Sequence, residues 1–230
     1  MAEKSDVVVI GAGVVGCSIA YYLAREGIKV ALVERESIGS GSSAHATGFI
    51  SLLGTEFTPG PSFQFGVESY NEFPQLVAEL EEATGMDLLY QRRPSLRLAL
   101  EESEEKLIKD MMSWQQEHVA MRWITAAEVN ELEHRLTPDL RGAVYEDESA
   151  QLDSYRLNLA LAAGAEKKGC QTINRKATGL VSEGNRITGV RTDAGDIACD
   201  TVVISAGLWS PRLQKDLVLP GAVGAGKGGR

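Results

Sequence analysis

The sequence predicts an α/β fold in which a mainly parallel sheet is interrupted by a smaller α+β segment. Three observations support this prediction: an apolar strand that runs directly into a glycine turn and a helix, a second strand that ends in an acid, and an apolar strand late in the chain. Between them, residues 86–148 mix short strand patterns with charged helices. We therefore expect a discontinuous domain, 1–85 and 149–212, with an α+β domain inserted at 86–148.

The beginning of the chain has the pattern of a complete βαβ unit. The β-branched run Val7–Ile10 suits a strand buried on both faces, and the turn Gly11–Gly16 follows it with the spacing G-x-G-x-x-G. Apolar residues then recur three and four positions apart as far as Gly27, which favours the end of a helix. Residues 29–33 return to a strand pattern. This order is typical of a Rossmann-like domain.

The glycines and the acid of this unit point to dinucleotide binding. Gly11 permits a tight turn, Gly13 lets the backbone approach a pyrophosphate, and Gly16 allows the helix to pack closely on the sheet. The free N–H groups of a helix that begins near Val14 would face the phosphates. Glu34, at the end of the second strand, can accept hydrogen bonds from the adenosine ribose and would repel the 2′-phosphate of NADP. The alternative, an ordinary α/β domain with a glycine-rich turn, does not account for Glu34.

A small polar segment follows the second strand. Residues 39–48 carry Ser42, Ser43, His45 and Thr47 between glycines. Hydroxyls and exposed N–H groups of this segment can extend the phosphate-binding surface that begins at the glycine turn. A surface linker is the alternative, but the segment directly follows the ribose-binding strand, and this position favours phosphate binding.

The rest of the chain alternates between helix and strand patterns. Before residue 149 the patterns predict a helix over 61–85 that Pro74 kinks or divides, a hairpin of strands 88–91 and 95–100, a helix over 101–120, a capped helix from Thr125 and a strand over 142–145. After it they predict a helix over 154–168, a strand over 171–174, a meander near 180–190 and a strand over 201–206. That strand ends in Ala206 and Gly207, which leave room for a ligand.

Composition limits the classes of partner. The formal net charge of −9 over 230 residues, without a basic cluster, argues against a nucleic acid. The three cysteines have no metal-binding or C-x-x-C spacing, which favours a reducing compartment. We expect no metal site, no signal peptide, no transmembrane segment and a cytoplasmic location.

Five segments, in this order, resemble the FAD-dependent D-amino-acid oxidase (DAO) family, which includes glycine oxidase and sarcosine and dimethylglycine dehydrogenases. The matching segments are Val9–Gly16, Gly41–Gly48, Pro94–Leu100, Gln151–Leu157 and Ser205–Ser210. The resemblance extends from residue 6 to about residue 212. It implies a glutathione-reductase-like FAD-binding domain and makes FAD, rather than NAD, the expected cofactor.

The resemblance also implies roles for individual residues. It assigns the pyrophosphate to the glycine turn, the ribose to Glu34, the adenosine end to Arg35, and the adenine to the backbone of Ala177. His45 matches the position of a histidine that carries covalent flavin in related dehydrogenases, and Trp209 either contacts the cofactor or fills the core. The full set of expected cofactor-binding residues is Gly11, Gly13, Val14, Val15, Gly16, Glu34, Arg35, Ser42, Ser43, His45, Thr47, Gly48, Ala177, Ala206, Gly207 and Trp209.

The implied reaction is oxidation of the C–N bond of a small amine or amino acid, with hydride transfer to flavin. No catalytic side chain is indicated. Members of the family continue beyond the position of Trp209, whereas residues 213–230 here read as a glycine-rich, disordered tail. We therefore expect a truncated chain, or one that works with a partner chain, with little amine turnover alone. Two alternatives remain: an FAD- or NAD-binding fragment without turnover, and a flavin-dependent tRNA-modifying enzyme, which the acidic charge disfavours.

Overall fold

The computed structural model describes residues 4–53, 58–184 and 186–213. The strands are β1 (Ser5–Ile10), β2 (Val30–Glu34), β3 (Phe49–Ile50), β4 (Gln91–Arg92), β5 (Ser95–Ala99), β6 (Met121–Ile124), β7 (Gly142–Glu146), β8 (Ala150–Gln151), β9 (Gln171–Asn174), β10 (Ala177–Glu183), β11 (Arg186–Thr192) and β12 (Gly195–Ile204). The helices are α1 (Val14–Arg25), α2 (Pro61–Thr84), α3 (Glu102–Gln115), α4 (Ala126–Leu132), α5 (Ser154–Lys167) and α6 (Ser210–Leu213), with 3-10 turns at Ser42–His45 and Gly207–Trp209.

The chain divides into two compact units. The first comprises Met1–Thr47, Glu79–Leu88 and Ser154–Arg230, and the second comprises Gly48–Ala78 and Leu89–Asp153. These boundaries differ from the expected domains 1–85 and 149–212 because residues 48–78 belong to the second unit. Two contacts explain the difference: Phe49 and Ile50 pair with β8, and Phe63 packs against Leu52 and Val119. Of the expected tail, 213–230, the structure describes Leu213, which is buried at the end of α6, and the rest lies outside the described residues.

A six-stranded sheet forms the centre of the first unit, in the order β10-β11-β12-β1-β2-β9. Strands β12, β1, β2 and β9 are parallel, whereas β10, β11 and the start of β12 form the predicted meander. The apolar run of β1 is buried as predicted, with Val8 and Val9 at 0% exposure. Because the parallel strands point the same way, their carboxyl ends meet at one edge of the sheet.

Strand β12 joins two parts of this sheet. Gly195–Ala198 pair antiparallel with β11, and Cys199–Ile204 pair parallel with β1. The sequence patterns predict a meander near 180–190 and a separate strand over 201–206. Since no turn interrupts the chain between Gly195 and Ile204, one strand serves both arrangements.

The helix α5 packs against α1 through small residues. Gly164 lies so close to Tyr21 that a Cβ atom added at Gly164 would be 3.0 Å from the ring. Ala20, Ala24 and Leu161 are also buried. Close helix packing of this kind leaves little tolerance for larger side chains.

The second unit contains two three-stranded antiparallel sheets, β3-β8-β4 and β5-β7-β6. The predicted hairpin over 88–100 is therefore wrong, because β4 pairs with β8 whereas β5 pairs with β7. Between β4 and β5, Arg93 exchanges hydrogen bonds with Ser149, its N–H donating to the Ser149 carbonyl at 2.9 Å. This contact and the adjacent Pro94 lead the chain from one sheet to the other.

Helices α2, α3 and α4 test the sequence patterns. Helix α2 is continuous over Pro61–Thr84 and contains Pro74, so the chain does not form two shorter helices. Helix α3 ends at Gln115, five residues earlier than predicted. The predicted capping box is confirmed: Thr125 and Glu128 exchange hydrogen bonds at the start of α4.

Among the described residues, no helix combines the length and apolar character that a membrane crossing requires.

A buried carboxyl group lies in the second unit. Glu146, at the end of β7, has 0% exposure, and one of its oxygens accepts hydrogen bonds from Ser51 at 2.7 Å and Ser95 at 3.4 Å. Its other oxygen has no partner among the described residues. Burial raises the pKa of Glu146, and the two serine hydroxyls only partly oppose this effect.

This raised pKa predicts a pH-dependent stability. At low pH Glu146 is protonated in both the folded and the unfolded chain, so it carries no charge penalty. As the pH rises above the usual glutamate pKa of about 4.3, the unfolded chain loses its proton first and the folded state loses stability. We therefore compare the melting temperature of Glu146→Gln with that of the wild type at each pH. The difference, variant minus wild type, should increase from about pH 4 to about pH 8.

Thermal unfolding across this pH range measures the difference. The control is Glu148→Gln, which changes an exposed carboxylate two residues away and should follow the wild-type profile. Parallel profiles for Glu146→Gln and the wild type would contradict the prediction.

Candidate cofactor site

The carboxyl ends of the parallel strands in the first unit surround a cavity of about 500 Å³. The glycine turn after β1, the end of β2 and the loop after β9 line it, together with the residues that follow β12. Open α/β sheets bind nucleotides at this edge, where strand ends and helix N-termini converge.

The glycine turn leaves no space for side chains. Gly11 has a φ of +102°, and a Cβ atom there would be 2.6 Å from the carbonyl oxygen of Ser205. A Cβ atom at Gly16 would be 1.9 Å from the carbonyl oxygen of Gly11. The turn can therefore fold onto the first turn of α1 only because both positions are glycine.

The N-terminus of α1 faces the cavity. The N–H of Val14 donates to the hydroxyl of Ser43 at 2.9 Å, whereas those of Val15 and Gly16 have no acceptor among the described residues. The first turn carries no acidic side chain. Free N–H groups and the positive end of the helix dipole favour an anion here. The Ser43 hydroxyl can still donate its proton, so it extends this donor surface outward.

Glu34 points towards the glycine turn. Its carboxylate accepts the N–H of Ala12 at 2.9 Å and that of Glu36 at 3.0 Å. A carboxylate can accept about four hydrogen bonds, so these two leave capacity for sugar hydroxyls. The acid at the end of β2 and the turn after β1 thus form one continuous surface.

Arg35 and Trp209 form one wall of the cavity. The guanidinium carbon of Arg35 lies 4.1 Å from the centre of the Trp209 ring, and Nε of Arg35 lies 3.2 Å from a carboxylate oxygen of Glu36. Trp209 is 38% exposed, so it is not a core residue. A stacked guanidinium and indole provide a flat surface of the kind that aromatic bases contact.

Most of the expected cofactor-binding residues line the cavity. Those that do are Gly11, Gly13, Val14, Val15, Glu34, Arg35, Ser42, Ser43, Ala177, Ala206, Gly207 and Trp209. Gly16 lies behind the turn as a packing residue, and His45 and Thr47 are exposed outside the lining. Gly48 belongs to the second unit. For all of the expected residues, inside and outside the lining, the role towards a cofactor stays a prediction.

Several lining residues were not expected from the sequence. Arg175, Lys176 and Arg212 bring positive charge to the cavity, and Ser205 donates a hydrogen bond to the carbonyl of Ile10 at 2.9 Å. Arg175 and Lys176 directly follow β9, which pairs with β2. Two basic residues after a strand could have indicated part of the site, but only if the pairing of β9 with β2 had already been known.

The cysteines take no part in this site as reactive groups. All three are buried and free. Burial raises the pKa of Cys17 to about 12 and that of Cys170 to about 11, so both thiols stay protonated at neutral pH. The Cys17 thiol lies 3.4 Å from the carbonyl oxygen of Ala12, where it packs under the turn. The described residues also contain no group of three or more His, Cys, Asp or Glu side chains suited to a metal ion.

The parallel sheet, the glycine turn on a helix N-terminus and the acid of the second strand define a dinucleotide-binding protein. Residues 6–226 match the family model described as DAO, FAD dependent oxidoreductase. The chain therefore belongs to the DAO family of FAD-dependent oxidoreductases.

Individual relatives agree with this assignment. The chain is 30% identical to glycine oxidase of Geobacillus kaustophilus over 93% of its own length and 57% of the relative's. It is also 30% identical to mitochondrial dimethylglycine dehydrogenase of Rattus norvegicus, of which it covers 24%. The crystal structure of glycine oxidase from Bacillus cereus superimposes with a TM-score of 0.84 at 36% identity, over 92% of this chain and 57% of that one. The chain thus spans somewhat more than half the length of the glycine oxidases that it matches.

Proposed function

We propose that the cavity of the first unit binds the ADP portion of FAD. The observation that carries this proposal is the Glu34 carboxylate, which lies 2.9 Å from the Ala12 N–H at the edge of the open glycine turn. An acid in this position suits a ribose with two free hydroxyl groups. The turn and the helix N-terminus beside it suit the pyrophosphate.

The residues of the cavity divide the cofactor between them. The N–H groups of Gly13 and Val15 and the hydroxyls of Ser42 and Ser43 would hold the phosphates, aided by the positive charge of Arg175. The backbone of Ala177 and the stacked pair of Arg35 and Trp209 would hold the adenosine end. Ala206 and Gly207, whose small size leaves space, would lie beside the remainder of the cofactor.

We propose further that the protein oxidises the C–N bond of a small amine or amino acid. Glycine oxidase and dimethylglycine dehydrogenase, by their names, act on such compounds. FAD, when bound, supplies the acceptor for a hydride from the carbon next to nitrogen. The chain's own residues bind and orient the cofactor.

Anaerobic addition of an amine tests this reaction. Because turnover by this chain alone should be low, we expect the visible absorbance of the FAD-loaded protein to bleach at most slowly with glycine, sarcosine or dimethylglycine, and not at all with the matched carboxylic acids that lack the amine. Bound flavin that none of these amines bleaches would favour the alternative, an FAD-binding fragment without turnover.

Glu34 should control which nucleotides bind. We expect the wild type to bind FAD and ADP and to discriminate against adenosine 2′,5′-bisphosphate, because the 2′-phosphate would meet the carboxylate. Glu34→Gln removes that charge and one acceptor oxygen. The ratio of the dissociation constant for adenosine 2′,5′-bisphosphate to that for ADP should therefore fall about tenfold, the effect of about 1.4 kcal/mol. Flavin fluorescence measures the binding of FAD, and calorimetry measures the dissociation constants of ADP and adenosine 2′,5′-bisphosphate.

The control for this titration is Glu26→Gln, which changes an exposed acid at the end of α1, outside the cavity. It should leave both constants unchanged. Equal affinity of the wild type for the two adenosine phosphates would contradict the role of Glu34.

We propose that His45 contacts the flavin or bonds to it covalently. The proposal rests on its place in the segment that follows Ser42 and Ser43, where its Nδ1 lies 3.0 Å from the carbonyl oxygen of Gly41. Its imidazole is exposed, so it is accessible to the flavin ring.

Acid precipitation of the FAD-loaded protein tests the covalent form. The covalent form predicts that yellow fluorescence remains with the wild-type pellet and is released completely from His45→Ala, whereas simple contact predicts release from both. His118→Ala, which removes an exposed histidine of the second unit, is the control and should resemble the wild type. Complete release of flavin from the wild type would end the covalent hypothesis.

A further inference from the structure

Asn158 is a buried amide whose hydrogen-bonding groups the fold does not use. It lies on α5 with 0% exposure, and its helix neighbours Leu157, Ala160 and Leu161 are buried as well. Neither its side-chain oxygen nor its nitrogen has a partner among the described residues. Because burying an unpaired amide destabilises a protein, such a residue calls for an explanation.

The Asn158 side chain touches the start of the polar loop. A Cβ atom added at Gly39 would lie 2.6 Å from the amide nitrogen of Asn158. Gly39 itself joins two parts of the cofactor site: its N–H donates to the carbonyl of Ala12 at 2.8 Å, and its carbonyl accepts the N–H of Ala44 at 3.0 Å. Asn158 therefore packs against the residue that links the glycine turn to the 3-10 turn containing Ser42 and Ser43.

The same face of α5 holds the other end of this loop. The Ser154 hydroxyl donates to the carbonyl of Ala46 at 2.8 Å. Residues four apart on a helix share one face, so Ser154 and Asn158 both face the loop. The loop between Gly39 and Ala46 thus contacts α5 through both Ser154 and Asn158, and of these two contacts the one made by Ser154 is a hydrogen bond.

We propose that Asn158 is a positioning residue for the phosphate-binding loop. Its amide hydrogen-bonds to the loop backbone near Gly39 in the arrangement in which Ser42 and Ser43 hold the phosphates of the dinucleotide. This inference rests on the proposed function of the cavity. A ligand favours the loop arrangement to which it binds more tightly. The hydrogen bond of Asn158 forms in that same arrangement. Binding of the phosphates and pairing of the Asn158 amide therefore reinforce each other.

The proposal predicts opposite effects on affinity and on stability. Asn158→Leu keeps the branching and the number of side-chain heavy atoms and removes both unpaired polar atoms, so the ligand-free protein should melt at the same or a higher temperature. Its dissociation constants for FAD and ADP should nevertheless rise about fivefold to tenfold, the effect of one lost hydrogen bond. Asn158→Ala should lose the same affinity although it melts at a lower temperature. Asn130→Ala, on α4 of the second unit, should change neither constant.

Amide hydrogen exchange gives a second measurement. ADP should slow exchange of the Ala44 amide in the wild type, and much less so in Asn158→Leu. Dissociation constants within twofold of wild type in both variants would overturn the role of Asn158, as would a loss of affinity that only the destabilised Ala variant shows. Failure of the wild type to bind FAD and ADP would instead reject the proposed function, and this inference with it.

Discussion

The close contact between Gly16 and Gly11 is the constraint on which the rest of the first unit depends. With no side chain at either position, the backbone of the turn lies against the first turn of α1, and the free N–H groups of that helix reach the cavity. Glu34 then bonds to the N–H of Ala12 in the same turn. A bulkier residue at position 16 would separate the turn from the helix, and the donors and the acid would no longer share one surface.

Support for this surface comes from segments far apart in the sequence. The strand after α5 places Arg175 and Lys176 beside β2, and the end of β12 places Ser205 against Ile10 and Gly11. Residues 154–213 therefore complete a site whose central part lies within the first 43 residues. The second unit, formed by residues 48–78 and 89–153 of the intervening sequence, has its own sheets and its own apolar clusters.

Local patterns predicted the parts of the molecule that local physics determines. The βαβ unit, the glycine turn, the position of Glu34 at the end of the second strand and the Thr125 capping box all depend on neighbouring residues, and the structure agrees with each. The hairpin over 88–100 failed because its two strands pair with residues 142–151, which no local pattern could reveal. For the same reason Arg175 and Lys176 were missed, since their place in the site depends on the pairing of β9 with β2.

The double pairing of β12 makes the cofactor site sensitive to errors made elsewhere in the sheet. Residues on alternate positions of a strand face opposite sides, so a slip of one residue against β11 would invert every side chain along β12. The slip would carry Ser205 and Ala206 away from the glycine turn although no residue of the cavity had changed. Variants in the part of the meander that lies outside the cavity lining can therefore act as folding variants of the ligand site.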